Sequence, residues 1–353
     1  MDVVYHPDLP VDRDLLRGLL KATVERLREY FGHDVKGGSI VEADPNELAR
    51  AARSRARSSG IVLVGIPSWD DGAYASVKRV LPDSQCFTER VLENESTLRY
   101  AATALATGIH CKLAGQPFAV KTRSSVRNAI IAGVDVSRAA EGGGTVEGRG
   151  CCSCFAVDEE GTIRHHLTFT TTIGERGETS AKTAEAVLQD LEALTEDVDA
   201  DPVIYLRDGR IPDPELEALQ DASEDLNLIP IEVIKSHPTV HTSTGKPWLE
   251  MTYFRVNRRT VLLYPRHEYP RATGGAKPGT RRPILLQRKD GGELDKDLIQ
   301  LISDLTASNW ATPAGATSRL PAPVLYADRA ARLARYGVTV SPREELARRP
   351  WPV

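Results

Sequence analysis

The sequence is short of the features that mark special classes of protein. No run of apolar residues approaches the ~18 needed to cross a bilayer, and the opening residues 1–6 (MDVVYH) lack the basic start and apolar stretch of a signal peptide. A cytoplasmic protein without membrane contact is the expectation. Five cysteines, three of them within Cys151-Cys152-Ser153-Cys154, are too few for a disulfide framework. Neither sign of charge dominates: 45 Lys and Arg face 49 Asp and Glu, a net charge of −4, so any grip on a polyanion must be local. Internal repeats and low-complexity tracts are missing, which excludes solenoids and coiled coils. What remains is 353 residues with 41% hydrophobic and 27% charged side chains, enough for the cores of about two soluble domains.

The first 120 residues alternate short apolar runs with amphipathic stretches. Residues 3–5 read as a strand, and 12–31 carry Leu15, Leu16, Leu19, Leu20, Val24, Leu27 and Tyr30 at the spacing of one helix face. Residues 39–41 form a short strand, Asp44-Pro45-Asn46-Glu47 a helix start, and 61–66 (IVLVGI) the continuous apolar run of a buried parallel strand. Residues 70–80, 84–87 and 95–110 continue the alternation. This order predicts a small parallel α/β layer, Rossmann-like in layout.

A different order begins after a break within 112–125. Residues 128–136 (NAIIAGVDV) form a buried strand, 141–150 a Gly-rich loop, and 151–157 and 163–172 two alternating strands. A helix over 180–194, a strand over 202–206, a helix over 213–227 and a strand at 231–234 follow. A late hairpin and strand (251–264, 283–288) and two helices (294–308, 324–336) close the chain. Three strands, then helix, strand and helix, with acids at strand ends, is the order of an RNase H-like fold.

Asp135, in Gly133-Val134-Asp135-Val136-Ser137-Arg138, and Asp208, in Tyr205-Leu206-Arg207-Asp208-Gly209, both end apolar strands. An unpaired carboxylate among Val, Ile and Leu costs several kcal/mol. Acids gathered at neighbouring strand ends repel one another unless cations sit among them. Two divalent ions roughly 4 Å apart meet that need and can clamp a phosphodiester, and Mg²⁺ or Mn²⁺ suits all-oxygen ligands. Taken singly, each acid reads first as a helix cap, turn former or surface charge; Asp208-Gly209 alone is a turn signal more often than a catalyst.

Five segments, in order, carry a resemblance: Tyr74–Val80 (YASVKRV), Ser84–Phe87 (SQCF), Gly133–Arg138 (GVDVSR), Leu206–Gly209 (LRDG) and Leu320–Arg329 (LPAPVLYADR). Over nearly its whole length the chain resembles the MID–PIWI half of a prokaryotic Argonaute, which implies a Rossmann-like MID domain (1–118) followed by an RNase H-like PIWI domain (119–353). The family's catalytic set of four implies Asp135, Glu175, Asp208 and Asp328, with Glu178 as the alternative loop glutamate and Asp135, Asp208 and Asp328 as metal ligands. The family's pocket for a guide 5′-phosphate implies Tyr74, Lys78, Gln85 and Lys112. Tyr74 and Lys78 are four apart, so they share a helix face; lysines neutralise a phosphate and a Tyr ring offers a stacking surface. Many prokaryotic relatives add a divalent ion there, bridged by the terminal carboxylate, which here is that of Val353. Arg329 would bind guide phosphates near the domain junction.

The resemblance implies a guide-directed endonuclease using two Mg²⁺ or Mn²⁺ ions, with a short guide strand and a complementary DNA or RNA target as partners. The segments preceding MID in a full-length Argonaute have no counterpart, so a short form or a C-terminal fragment is expected. The alternative is a non-cleaving guide-binding sensor, acting with a partner effector against invading nucleic acid. The cysteine cluster with His165 and His166 suggests zinc, but strand alternation sends Cys151 and Cys152 to opposite faces and tetrahedral sites usually need turns between ligands. Small core residues is the reading preferred. His237 and His241 lie in a loop-like stretch. Arg255, Arg258, Arg259, Arg281, Arg282, Arg288 and Lys289 would line a phosphate-tracking channel or form solvated hairpin edges.

Overall fold

The computed structural model describes residues 1–93, 95–113, 115–141, 144–173, 180–223, 226–236, 252–265, 283–310, 318–339 and 349. The chain begins with β1 (Asp2–Tyr5), α1 (Arg13–Phe31), β2 (Ile40–Glu42), α2 (Leu48–Ser59), β3 (Val62–Gly65), α3 (Asp71–Val80), β4 (Gln85–Phe87) and α4 (Glu95–Leu113). The four strands form one parallel sheet in the order β2-β1-β3-β4. Its helices start and stop where local chemistry dictates. The Asp12 carboxylate accepts from the Asp14 amide at the head of α1, and Gly32, at φ 68°, ends that helix in the left-handed conformation glycine tolerates. Asp70 caps α3 by accepting from the Ala73 amide at 2.8 Å. The face predicted from the leucine spacing is the buried one: Leu16, Leu19, Leu20, Val24 and Leu27 pack with Val3, Tyr5 and Leu63.

The second layer comprises β5 (Ile130–Glu141), β6 (Gly144–Val157), β7 (Ile163–Thr172), α5 (Ala181–Val198), β8 (Val203–Asp208), α6 (Asp213–Ala222), β9 (Leu228–Ile234), β10 (Thr252–Asn257), β11 (Thr260–Tyr264), β12 (Ile284–Arg288), α7 (Lys296–Asp304) and α8 (Ala322–Ala334). Eight strands form one sheet in the order β10-β11-β12-β9-β8-β5-β6-β7. The central trio β5, β8 and β9 runs parallel, and the flanking strands are antiparallel. β8 and β9 are buried along almost their whole length and β5 over Ile130–Asp135, as the unbroken apolar runs in the sequence require.

One expectation is corrected. Residues 141–150, whose glycines suggested a loop, are largely strand: β5 reaches Glu141 and β6 begins at Gly144. Long antiparallel pairing, with a register shift between Arg138 and Ala140, overrides the intrinsic preference of glycine. Cys152 and Cys154 lie in the apolar cluster between the sheet and α5, and Cys151 is buried as well. Among the described residues only three aspartates make a metal-competent group.

Two features place the candidate site residues. Helix α8 lies across the centre of the large sheet, seated on Phe155 and on Trp310, whose ring stacks on Tyr326 at 4.8 Å. It approaches β5 so closely at Gly133 that a Cβ there would meet the Pro323 carbonyl carbon at 2.1 Å and the Val324 nitrogen at 2.3 Å. The small layer is tied to the large one by the same region. Tyr74 of α3 packs against the core of the large sheet, the Arg79 guanidinium donates to the Tyr336 carbonyl at 2.6 and 3.1 Å, and Cys111 of α4 joins that core.

Gly133→Ala is therefore expected to force α8 off the sheet. Overpacking against backbone, which cannot rotate away, should cost about 1–3 kcal/mol or more, seen as a lowered midpoint in urea unfolding. An unchanged midpoint would show that α8 shifts without penalty.

Candidate functional site

Asp208 is the last residue of β8, and Asp135 lies on the adjacent β5 one step beyond the paired Val134 and Arg207. Asp328 comes from the middle of α8. The three carboxylates offer oxygens that all lie within 4.8 Å of one another. Asp135 and Asp208 are 9% and 8% exposed, so water does little to screen their repulsion. Burial, and then the Asp208 charge, push the Asp135 carboxyl up to about 6, against the pull of Arg207. Burial also raises Asp208, although Lys235 opposes it. The Asp208 Oδ1 atom is buried without a hydrogen-bond partner. An orphaned buried oxygen beside two further carboxylates is a donor set suited to a hard divalent cation.

Basic groups surround this centre. The Lys235 ammonium donates to Asp208 Oδ2 at 2.6 Å and reaches Asp328 Oδ1 at 3.5 Å. Arg332, one helical turn beyond Asp328, lies 3.1 Å from its Oδ2. Arg207 stands 3.9 Å from Asp135. Its guanidinium is also held by buried Glu215, at 3.2 Å, which in turn accepts from the Tyr205 hydroxyl at 2.7 Å. None of these was singled out in the sequence. Lys235 had a signal: it directly follows an apolar strand next to β8, the same strand-end position that marked the acids.

The second constellation lies where the two layers meet. Lys78, on α3, is buried and donates to the carbonyls of Ser84 at 2.5 Å and Pro82 at 3.3 Å. Its ammonium lies 5.9 Å from the centre of the Tyr74 ring. Lys112, near the end of α4, is equally buried and donates to Gln85 Oε1. Gln85 rests directly on α4 at Gly108, where a Cβ would come within 2.6 Å of its Oε1. Burial holds both ammonium groups below the usual lysine range, and Lys112 lies well below it with the charge of Lys78 adding to the effect. Burial likewise pushes the Tyr74 phenol up, with the positive charge of Arg329 opposing. Tyr74, Lys78, Gln85, Lys112 and Arg329 thus gather around one junction. Arg349 donates to the Lys112 carbonyl at 2.5 Å.

Glu175, Glu178, Val353, His237, His241, Arg281 and Arg282 lie outside the described residues. Arg255 and Arg258 pair with Glu293, Arg288 with Asp290 and Lys289 with Glu232. These pairings fit the strand-edge reading of that cluster. No helix among the described residues is long and apolar enough to cross a membrane.

Fold and site together define an α/β protein in which a small parallel sheet precedes an RNase H-like sheet bearing a central acidic cluster. The chain belongs to the Piwi domain family, whose sequence model matches residues 61–243. It shares its fold with Argonautes. Drosophila Piwi superimposes over 100% of this chain and 50% of its own, with a TM-score of 0.72 at 18% identity. An Aquifex aeolicus Argonaute covers 94% of this chain and 47% of its own, with a TM-score of 0.67 at 20% identity. A second structure of that Argonaute, with externally bound siRNA, gives 0.69 over 99% of this chain and 50% of its own, at 20% identity. This chain thus spans about half the length of the structures it matches. Among curated proteins, none matches it by sequence.

The raised Asp135 carboxyl has a signed consequence. A carboxyl that holds its proton more tightly when folded favours folding at low pH, and this contribution is lost as pH rises from about 4 towards about 6. At neutral pH the ionised form opposes folding. Asp135→Asn should therefore stabilise the metal-free protein at pH 7 by about 2–3 kcal/mol, an advantage that shrinks as pH falls towards 4.5. Thermal unfolding in EDTA at both pH values measures it. A variant no more stable than the parent at pH 7 would mean that Arg207 and Lys235 already compensate the charge.

Proposed function

We propose that this chain is the MID–PIWI portion of a guide-directed endonuclease of the Argonaute type, residues 1–118 forming the MID domain and 119–353 the PIWI domain. The observation that carries the reading is the convergence of Asp135, Asp208 and Asp328, from two strands and a helix, within 4.8 Å. On this reading they hold Mg²⁺ or Mn²⁺, and Glu175, or else Glu178, completes the set. Two such ions, when bound, supply Lewis-acid activation of water and neutralise the departing 3′ oxygen. The chain's own part is to keep oxygens of Asp135, Asp208 and Asp328 close and shielded from water, with Arg207 and Lys235 opposing part of the upward push that burial gives Asp135.

The pocket at the layer junction anchors the guide. Lys78 is packed close enough to Lys112 to disfavour its charge, and a terminal phosphate would relieve that repulsion. Gln85 and Tyr74 supply a polar side chain and a ring at the same place, and Arg329 serves the phosphate backbone. Arg349 beside Lys112 supports a role for the carboxylate of Val353, four residues further along the sequence, and with it a third divalent ion at the phosphate. Once the guide is anchored, the target is read by base pairing while the protein meets only backbone and helical shape. The protein acts on DNA or RNA in the cytoplasm.

A second reading is favoured by the cations around the acids. A cluster in which Lys235, Arg332 and Arg207 each face a carboxylate is already charge-compensated. Such a centre suits a guide-binding sensor that signals through an effector partner without cutting.

The deciding experiment offers the protein 5′-phosphorylated DNA or RNA guides, labelled complementary targets and Mn²⁺. Target cut opposite the guide by the parent, and left intact by Asp135→Ala/Asp208→Ala with guide binding preserved, supports the nuclease. Guide binding without cutting by the parent supports the sensor. Replacing the guide's 5′-phosphate with hydroxyl should weaken binding by about tenfold or more, since it removes a doubly lysine-bound anion. Equal affinities for the two guides would remove Lys78 and Lys112 from that role.

A further inference from the structure

Lys235 differs from the other cations at the acidic centre. Of Lys235, Arg207 and Arg332, Lys235 is the one that bridges two of the acids, at 2.6 Å from Asp208 Oδ2 and 3.5 Å from Asp328 Oδ1. Arg207 is shared with Glu215, and Arg332 is a largely exposed residue on the helix of its own partner. The backbone of Lys235 is pinned. Its carbonyl accepts from Arg319 Nη2 at 2.5 Å, and the same nitrogen donates to the Pro283 carbonyl at 2.7 Å. One guanidinium thereby fastens the end of β9 and the approach to β12 to the segment entering α8. On the other side, the Gly209 amide donates to the Val233 carbonyl at 3.0 Å, locking the end of β8 to β9. The strand end that presents Lys235 and the elements that present Asp208 and Asp328 are therefore one fastened unit. The lysine side chain itself is 36% exposed, so its ammonium has a path to solvent.

An ammonium and a divalent ion compete for the same carboxylate oxygens, because each needs their lone pairs and the two cations repel at such range. We propose that Lys235 is a displaceable internal cation: it holds Asp208 and Asp328 together until a divalent ion takes their oxygens and drives the ammonium outward. The lysine thereby sets how much divalent ion the centre needs. The inference rests on reading the three aspartates as metal ligands. It makes Lys235 a positioning residue, with an effect that does not depend on guide or target.

The test is Mn²⁺ binding to the guide-free protein, followed by electron paramagnetic resonance. Lys235→Met keeps the apolar stem and removes the charge. Its Kd for Mn²⁺ should fall by about tenfold, the factor that follows from about 1.4 kcal/mol of lost competition. Lys235→Arg should stay near the parent. In EDTA, Lys235→Met should unfold at lower temperature than the parent, with Mn²⁺ closing the gap, because two acids are left without their shared cation. A parent-only measurement covers the case in which the variants fold poorly. With lysine carrying ¹³C at Cε, the Lys235 resonance should move on adding Mg²⁺ towards that of exposed lysines. A Kd unchanged or raised in Lys235→Met, or a ¹³Cε signal unmoved at saturating Mg²⁺, overturns the proposal. The two readings fail separately. Tighter Mn²⁺ binding in the variant without target cleavage by the parent keeps the displaceable lysine and removes the nuclease. Cleavage by a parent whose Kd the variant does not alter does the reverse. If neither parent nor variant binds Mn²⁺, both fall.

Discussion

Three carboxylates are held within 4.8 Å of one another, two of them almost out of reach of water, and their mutual repulsion is the constraint around which the large layer is built. Left alone, the acids would move apart or take up protons, and the raised Asp135 carboxyl records that tendency. The fold resists by rigid means. Asp135 and Asp208 sit on adjacent parallel strands whose register allows no retreat, and α8 is pressed onto β5 at a position with no side chain. The Arg207–Glu215–Tyr205 network beneath and Lys235 above supply compensating charge without closing the centre. Functional centres commonly carry such a stability cost, and here it is carried by packing elsewhere in the sheet.

Helix α8 joins the two constellations. Asp328 faces the acidic centre, while its neighbour Arg329 lies close enough to Tyr74 to act on its phenol. Successive residues of a helix point about 100° apart, so a single helix can serve both places only if it lies across the junction of the layers. The contacts of Tyr74, Arg79 and Cys111 with the large layer keep it there. Movement of α8 would alter the acidic centre and the lysine pocket together, a mechanical route by which occupancy of one could be felt at the other.

Much of this was legible from residue pattern. The leucine stripe of α1 and the apolar runs of β3, β5 and β8 are local signals, and the elements formed where those signals put them. Asp135 and Asp208 stood out because acids are costly beside buried valines and leucines; Asp208 does end β8, whereas β5 runs on past Asp135 to Glu141, because pairing with β6 extends it. The 141–150 stretch was misread because glycine content speaks for the isolated chain, whereas pairing between β5 and β6 is a property of the sheet. Lys235 and Arg319 passed unnoticed for a related reason: a lysine at a strand end is unremarked until the strand order puts β9 beside β8.

The amino-acid order by itself determined most of the segments that become strands and helices, because periodicity, capping and apolar runs act over a few residues; the pairing of β5 with β6 across 141–150 is the exception. It also marked the acids and lysines whose setting demanded a partner. Tertiary structure decided which of them meet. Asp328 lies 120 positions beyond Asp208 along the chain, and only the crossing of α8 over β5, permitted by the bare backbone at Gly133, brings its carboxylate to the other two. The bridging of two of those acids by Lys235 follows from strand order and the Arg319 clamp, relations between distant segments that no local pattern encodes.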